Sequence, residues 1–148
     1  MRAIYSVDLS KAKKLKEVAF QFWDFEVAWI IQVLRTITLE HKVLQEISIH
    51  IVPQYGKSGD IKFAVKKCIY PEWADLDDTL LNICQSRACH VKVVVHGQKE
   101  RESQIQKYIK AAQECIVHLL PKVTKEGLIS VVYSKHQPLK KGNCPCLW

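Results

Sequence analysis

Apolar residues along this chain recur with two periods, and the two take turns. Four runs, at 18–22, 47–51, 91–95 and 128–133, are rich in β-branched or aromatic residues. The first two alternate apolar with small or polar side chains, as a half-buried strand does. Between them the spacing changes to three and four. Over 24–37 it aligns Val27, Ile30, Ile31, Leu34 and Ile37 on one helical stripe, with Asp24 placed to cap the start. Over 73–84 it aligns Trp73, Leu76, Leu80, Leu81 and Cys84. Asp75, Asp77 and Asp78 then fall in the first turns, where the macrodipole favours carboxylates. Over 103–120 it aligns Ile105, Ile109, Ala112, Ile116, Leu119 and Leu120, followed by Pro121 and Gly127, both expected at a helix end.

Strands alternating with helices imply parallel strands joined by crossovers. The strand openings also repeat. Leu15, Val18 and Phe20 share a spacing with Leu44, Ile47 and Ile49, with Ala88, Val91 and Val93, and with Leu128, Val131 and Tyr133. An apolar residue at i, i+3 and i+5 opens the strand of a leucine-rich repeat. Only the first interval, from Leu15 to Leu44, falls within the usual span of roughly 20–29 residues. The Asn or Cys of that repeat is replaced by Trp23 and Val52. The expected fold is therefore a single α/β domain over 1–133, made of degenerate leucine-rich-repeat-like strand-helix units with a mainly parallel sheet. A compact two-layer or three-layer α/β domain would use the same elements. The run Val93-Val94-Val95 argues for a sheet covered on both faces, and the alternation over 18–22 for one covered on a single face. Residues 54–60 read as a loop, 61–66 as an edge strand with lysines toward water, and 134–148 as a flexible C-terminal tail.

Composition narrows the setting. At 148 residues, 48% hydrophobic and 25% charged, the chain has the make-up of one globular domain that needs no disulfide or metal to hold its core. No apolar run approaches the roughly 18 residues of a membrane span, and the first residues lack the apolar region of a signal peptide. A cytoplasmic or nuclear location follows, where the six cysteines stay reduced. The net charge of +7 is compatible with nucleic acid as a partner, but the lysines are scattered, as on a solvated face.

Candidate chemistry is sparse. Gly56-Lys57-Ser58 lacks the glycine five residues earlier that a phosphate loop needs; Ile51 stands there. Cys84, Cys89 and His90, with Cys68, lack the paired knuckle of a zinc site, and the two thiols fit core positions. Cys144-Pro145-Cys146 is no prenylation box. The six histidines lie on separate elements, with His50 and His118 in apolar surroundings that favour a structural role. No serine or cysteine carries a nucleophile motif. Trp29 and Trp73 fall on or near helix stripes, as core residues. No catalytic residue, metal ligand, cofactor or small-molecule substrate is expected.

The wording of the chain goes further than its pattern. Asp8-Leu9-Ser10-Lys11-Ala12-Lys13-Lys14-Leu15-Lys16, Trp29-Ile30, Leu34-Arg35-Thr36-Ile37-Thr38, His41, Leu44 and Ile47-Ser48-Ile49-His50 resemble the C-terminal region of fungal F-box/leucine-rich-repeat-like proteins. Trp73-Ala74-Asp75-Leu76-Asp77, Leu119-Leu120-Pro121 and Gly127-Leu128-Ile129 extend the resemblance across most of 8–133. It implies a substrate-recognition region that acts through protein contacts and supplies no catalytic residues. The F-box itself is not expected within this chain. The strand ends then mark the candidate contact residues: Gln21 and Trp23 after the first strand, His50 after the second and His96 after the third. The expected function is non-enzymatic recognition of a protein partner. The alternative is a basic, nucleic-acid-associated protein.

Overall fold

The computed structural model describes residues 7–22, 27–51, 72–96 and 102–134. Within them lie β1 (Glu17–Phe22), α1 (Ala28–Leu34), β2 (Glu46–Ile51), α2 (Glu72–Gln85), β3 (His90–His96), α3 (Glu102–Leu119), α4 (Pro121–Lys125) and β4 (Ile129–Ser134). All three strand pairings are parallel, and the spatial order is β1-β2-β3-β4, the order of the chain. The expected α/β domain with a parallel sheet is the observed one. Trp23, Asp24, the 54–60 loop, the 61–66 strand and residues 135–148 lie outside the described residues.

Register turns the strand sequences into layers. Val18, Ile47, Val91 and Ile129 are aligned across the sheet, and Phe20, Ile49, Val93 and Val131 form the next row. These side chains join Ile30, Leu34, Leu76, Leu80, Ala112, Ile116 and Val123 from all four helices in one continuous core. The helices therefore share one face of the sheet. α1 packs on α2, α2 on α4, and α3 on β4. Val94 is buried too, at 7% exposure, but lies outside that core. The three consecutive valines of β3 are thus buried on both sides of the sheet, Val93 and Val95 in that core and Val94 on the opposite face.

Polar contacts set the ends of the elements. α1 starts at Ala28 behind Val27, which makes no side-chain cap, and stops at Leu34 rather than running from 24 to 37. There the bonds tighten to Thr36 N–H on Val33 O and Ile37 N–H on Leu34 O, which ends the helix in a narrower turn. His41, fully buried, accepts the Thr38 N–H at Nδ1 (3.0 Å), so Nε2 carries the proton and donates to Leu9 O (2.7 Å). Thr36 Oγ1 accepts the Leu9 N–H at 2.9 Å, so this loop satisfies both backbone groups of Leu9. Arg87 ties the next connection to the same loop, donating to the carbonyls of His41 and Thr38.

The helix expected over 103–120 ends at Leu119, and Pro121 opens a second, short helix. Pro121 has no N–H to carry the first helix on, and Asp77 supplies the cap of the second. Its buried carboxylate is not a first-turn charge on α2: Oδ2 accepts the Lys122 N–H (2.9 Å) and Oδ1 the Val123 N–H (3.0 Å). It thus caps α4 from a neighbouring helix. Asp78 pairs with the Lys122 ammonium at the surface, where such a bridge contributes little. α4 closes with Gly127 at φ +67°. The Gly127 N–H bonds Thr124 O and the Leu128 N–H bonds Val123 O, the two bonds of a Schellman ending. His118, expected in a structural role, is exposed on α3, and Ser134, expected in the tail, is the last residue of β4.

Asp77→Ala leaves two N–H groups of α4 without their acceptor, and urea denaturation should show a loss of about 3 kcal/mol. Asp77→Asn, which keeps an acceptor oxygen, should lose about half of that. Gly127→Ala meets nothing within 4 Å, so its cost is the left-handed backbone alone, about 1 kcal/mol by the same measurement.

Candidate functional site

The face of the sheet away from the helices is built from the alternate residues of each strand. Register sets them in rows. Glu17, Glu46 and His90 form the first. Ala19, Ser48, Lys92 and Ser130 form the second, and Gln21, His50, Val94 and Val132 the third. His96 pairs with Ser134 beyond them. The rows are mixed in charge and mostly polar.

The face is most organised at the carboxyl ends of the strands. His50 Nδ1 lies 2.8 Å from His96 Nε2, with ring centroids 5.1 Å apart and planes 23° apart. A nitrogen contact that short at that centroid separation places the rings edge to edge and nearly in line. It is a direct imidazole–imidazole hydrogen bond rather than a stack. His96 is buried at 8% exposure and His50 is half-buried. Burial, then the facing His96 and then Lys92 hold His50 below its ordinary value of 6.5, against an opposing pull from Glu46. Gln21 is the register partner of His50, and its amide nitrogen is buried without a hydrogen-bond partner.

Three of the four residues picked out from the sequence are thus gathered on one face. Gln21 and His50 lie within β1 and β2, and His96 ends β3, rather than following the strands. Trp23 is outside the described residues. What strand-end reasoning missed is the hydrogen bond itself: β2 and β3 are offset so that position 96 reaches position 50 diagonally, which only register reveals. It also missed His90, whose Nε2 lies 2.9 Å from Ser130 Oγ at the opposite end of the face. A nucleophile and base need an orienting third group. Glu46 is His90's register partner, yet no hydrogen bond joins the two. The contact works as a tie across β3 and β4.

Among the described residues no three His, Cys, Asp or Glu side chains are grouped to hold a metal ion. Cys84 and Cys89 are free and buried. They share a hydrogen bond that pushes the Cys84 thiol well above its ordinary range and draws Cys89 below it. An open depression of about 650 Å³ lies at the amino ends of the strands, beside Ile37, Leu39, Glu40, Ile83 and Arg87. Ligands of parallel sheets meet the carboxyl ends instead, where His50 and His96 stand. Among the described residues no helix is long and apolar enough to cross a membrane. Comparison of the chain with protein-family models, curated proteins and solved structures gave no match.

The sign of the pH dependence follows from His50. The unfolded chain takes up a proton at this residue near 6.5, while the folded chain resists it. Stability from His50 is therefore intact above that pH and falls below it, until the folded form is protonated as well. The thermal midpoint of the wild type should drop more between about pH 7 and 5.5 than that of His50→Gln. Equal drops would assign the dependence to other groups.

Proposed function

We propose that this chain is a protein-recognition module without a reaction of its own, and that the sheet face opposite the described helices is its contact surface. One observation carries the reading. The strands follow chain order with the four described helices on one face, and the carboxyl end of the opposite, largely polar face gathers Gln21, His50 and His96. Repeat proteins offer their sheet or strand-end surfaces to partners in this way. The resemblance of the sequence to the recognition region of F-box/leucine-rich-repeat-like proteins supports the same reading. Buried free thiols at Cys84 and Cys89 fit a cytoplasmic or nuclear setting.

The charge of the face favours a protein over a nucleic acid. A surface that tracks phosphates gathers its cations. Here Glu17 and Glu46 share the face with Lys92, and Lys13, among the exposed lysines near the N-terminus, is paired with Glu40.

Proteins captured by the intact chain should be lost with the double variant Gln21→Ala/His50→Ala and kept with Val117→Glu, a change at an exposed position of α3. Oligonucleotide binding should be weak, without the roughly thousandfold fall between about 50 and 200 mM salt that marks phosphate contacts. Capture that survives the double variant, or binding with that salt dependence, would overturn the reading.

A further inference from the structure

We propose that His50 and His96 form a proton-responsive latch across β2 and β3, closed while at least one ring keeps a bare nitrogen and opened when both are imidazolium cations. The geometry supplies the two states. A 2.8 Å bond between ring nitrogens needs one N–H and one bare lone pair, and the in-line arrangement points them at each other. With both rings protonated no acceptor is left, and two cations face each other at contact distance.

The two partners are unequal. His96 is held in a buried position at the end of β3, whereas His50 is only half-buried. Opening therefore moves His50. Gln21 stands opposite it in register, and a carboxamide can turn either its oxygen or its nitrogen toward the ring, so it can meet both states.

The remaining charges facing the pair, among the described residues, come from the strands. Glu46 on β2 favours the cation at His50, and Lys92 on β3 opposes it. Glu17 of β1 and His90 of β3 lie at the far end of the face, His90 bonded to Ser130. β4 contributes uncharged Ser130, Val132 and Ser134. The described helices pack on the other face. Acidification thus changes the carboxyl end of the platform from a closed, nearly neutral pair to an open, cationic one. A partner chosen by the closed face would be released.

The role of the latch rests on the recognition reading, but its opening can be read on the free chain. Imidazole nitrogen resonances of the isotope-labelled protein are followed from about pH 8 to 5. The His50 resonances should move in two steps, because protonation of either ring changes the other, with the backbone amides of β2 and β3 shifting on the lower step. His96→Gln should collapse the His50 titration to a single step. If that variant does not fold, His50→Gln should do the same to His96 from the half-exposed side. A single independent step for each ring in the wild type, with the strand amides unmoved, would overturn the latch. Independent titration beside intact partner capture would fault the latch alone. Coupled titration in a chain whose captured proteins ignore the face would fault the recognition reading alone.

Discussion

A parallel strand cannot pair with its predecessor until the chain has returned to the same end of the sheet. That constraint organises this molecule. Each return places apolar residues of a helix over the strand just laid down, and keeping the chain order β1-β2-β3-β4 sends every return across the same face. One face is then a continuous aliphatic core. The other carries side chains that none of the described helices covers, among them Gln21, His50, His90 and Lys92.

Much of this was legible in the order of residues. Ile47 and Ile49, or Val91 and Val93, carry strand period and β-branched chemistry together, and burial of the alternate residue is what such a pattern means. The stripe from Val27 to Ile37 was legible as a packing surface but not as a helix of that length. Ile37 stays buried while the backbone around it has already left the helix. The repeat spacing placed Ala88 at the opening of the third unit. Ala88 is exposed, and neighbouring Cys89 is buried instead. A spacing rule locates apolar residues to within one position, and the turn before β3 decides which of the two turns inward.

Polar residues were harder to read, because their partners are distant in the chain. Asp75, Asp77 and Asp78 look alike as a cluster, yet only Asp77 is enclosed. His41 has no local pattern that would distinguish it from an exposed loop histidine; its significance depends on Leu9 arriving beside it. The same holds for the candidate site. Each of Gln21, His50 and His96 could be picked from its place near a strand end, but the bond between the two imidazoles belongs to the register between strands. Pattern rules describe a segment against solvent. They do not describe one segment against another.

The Asp77 cap also bears on how the chain assembles. It joins backbone groups 45 and 46 positions further along to a carboxylate on α2, so α4 has no completed amino end until α2 is in place. β4 follows α4 directly through the Gly127 turn. The last strand is therefore tied through α4 to a helix laid down before β3, as well as to the β3 edge it pairs with.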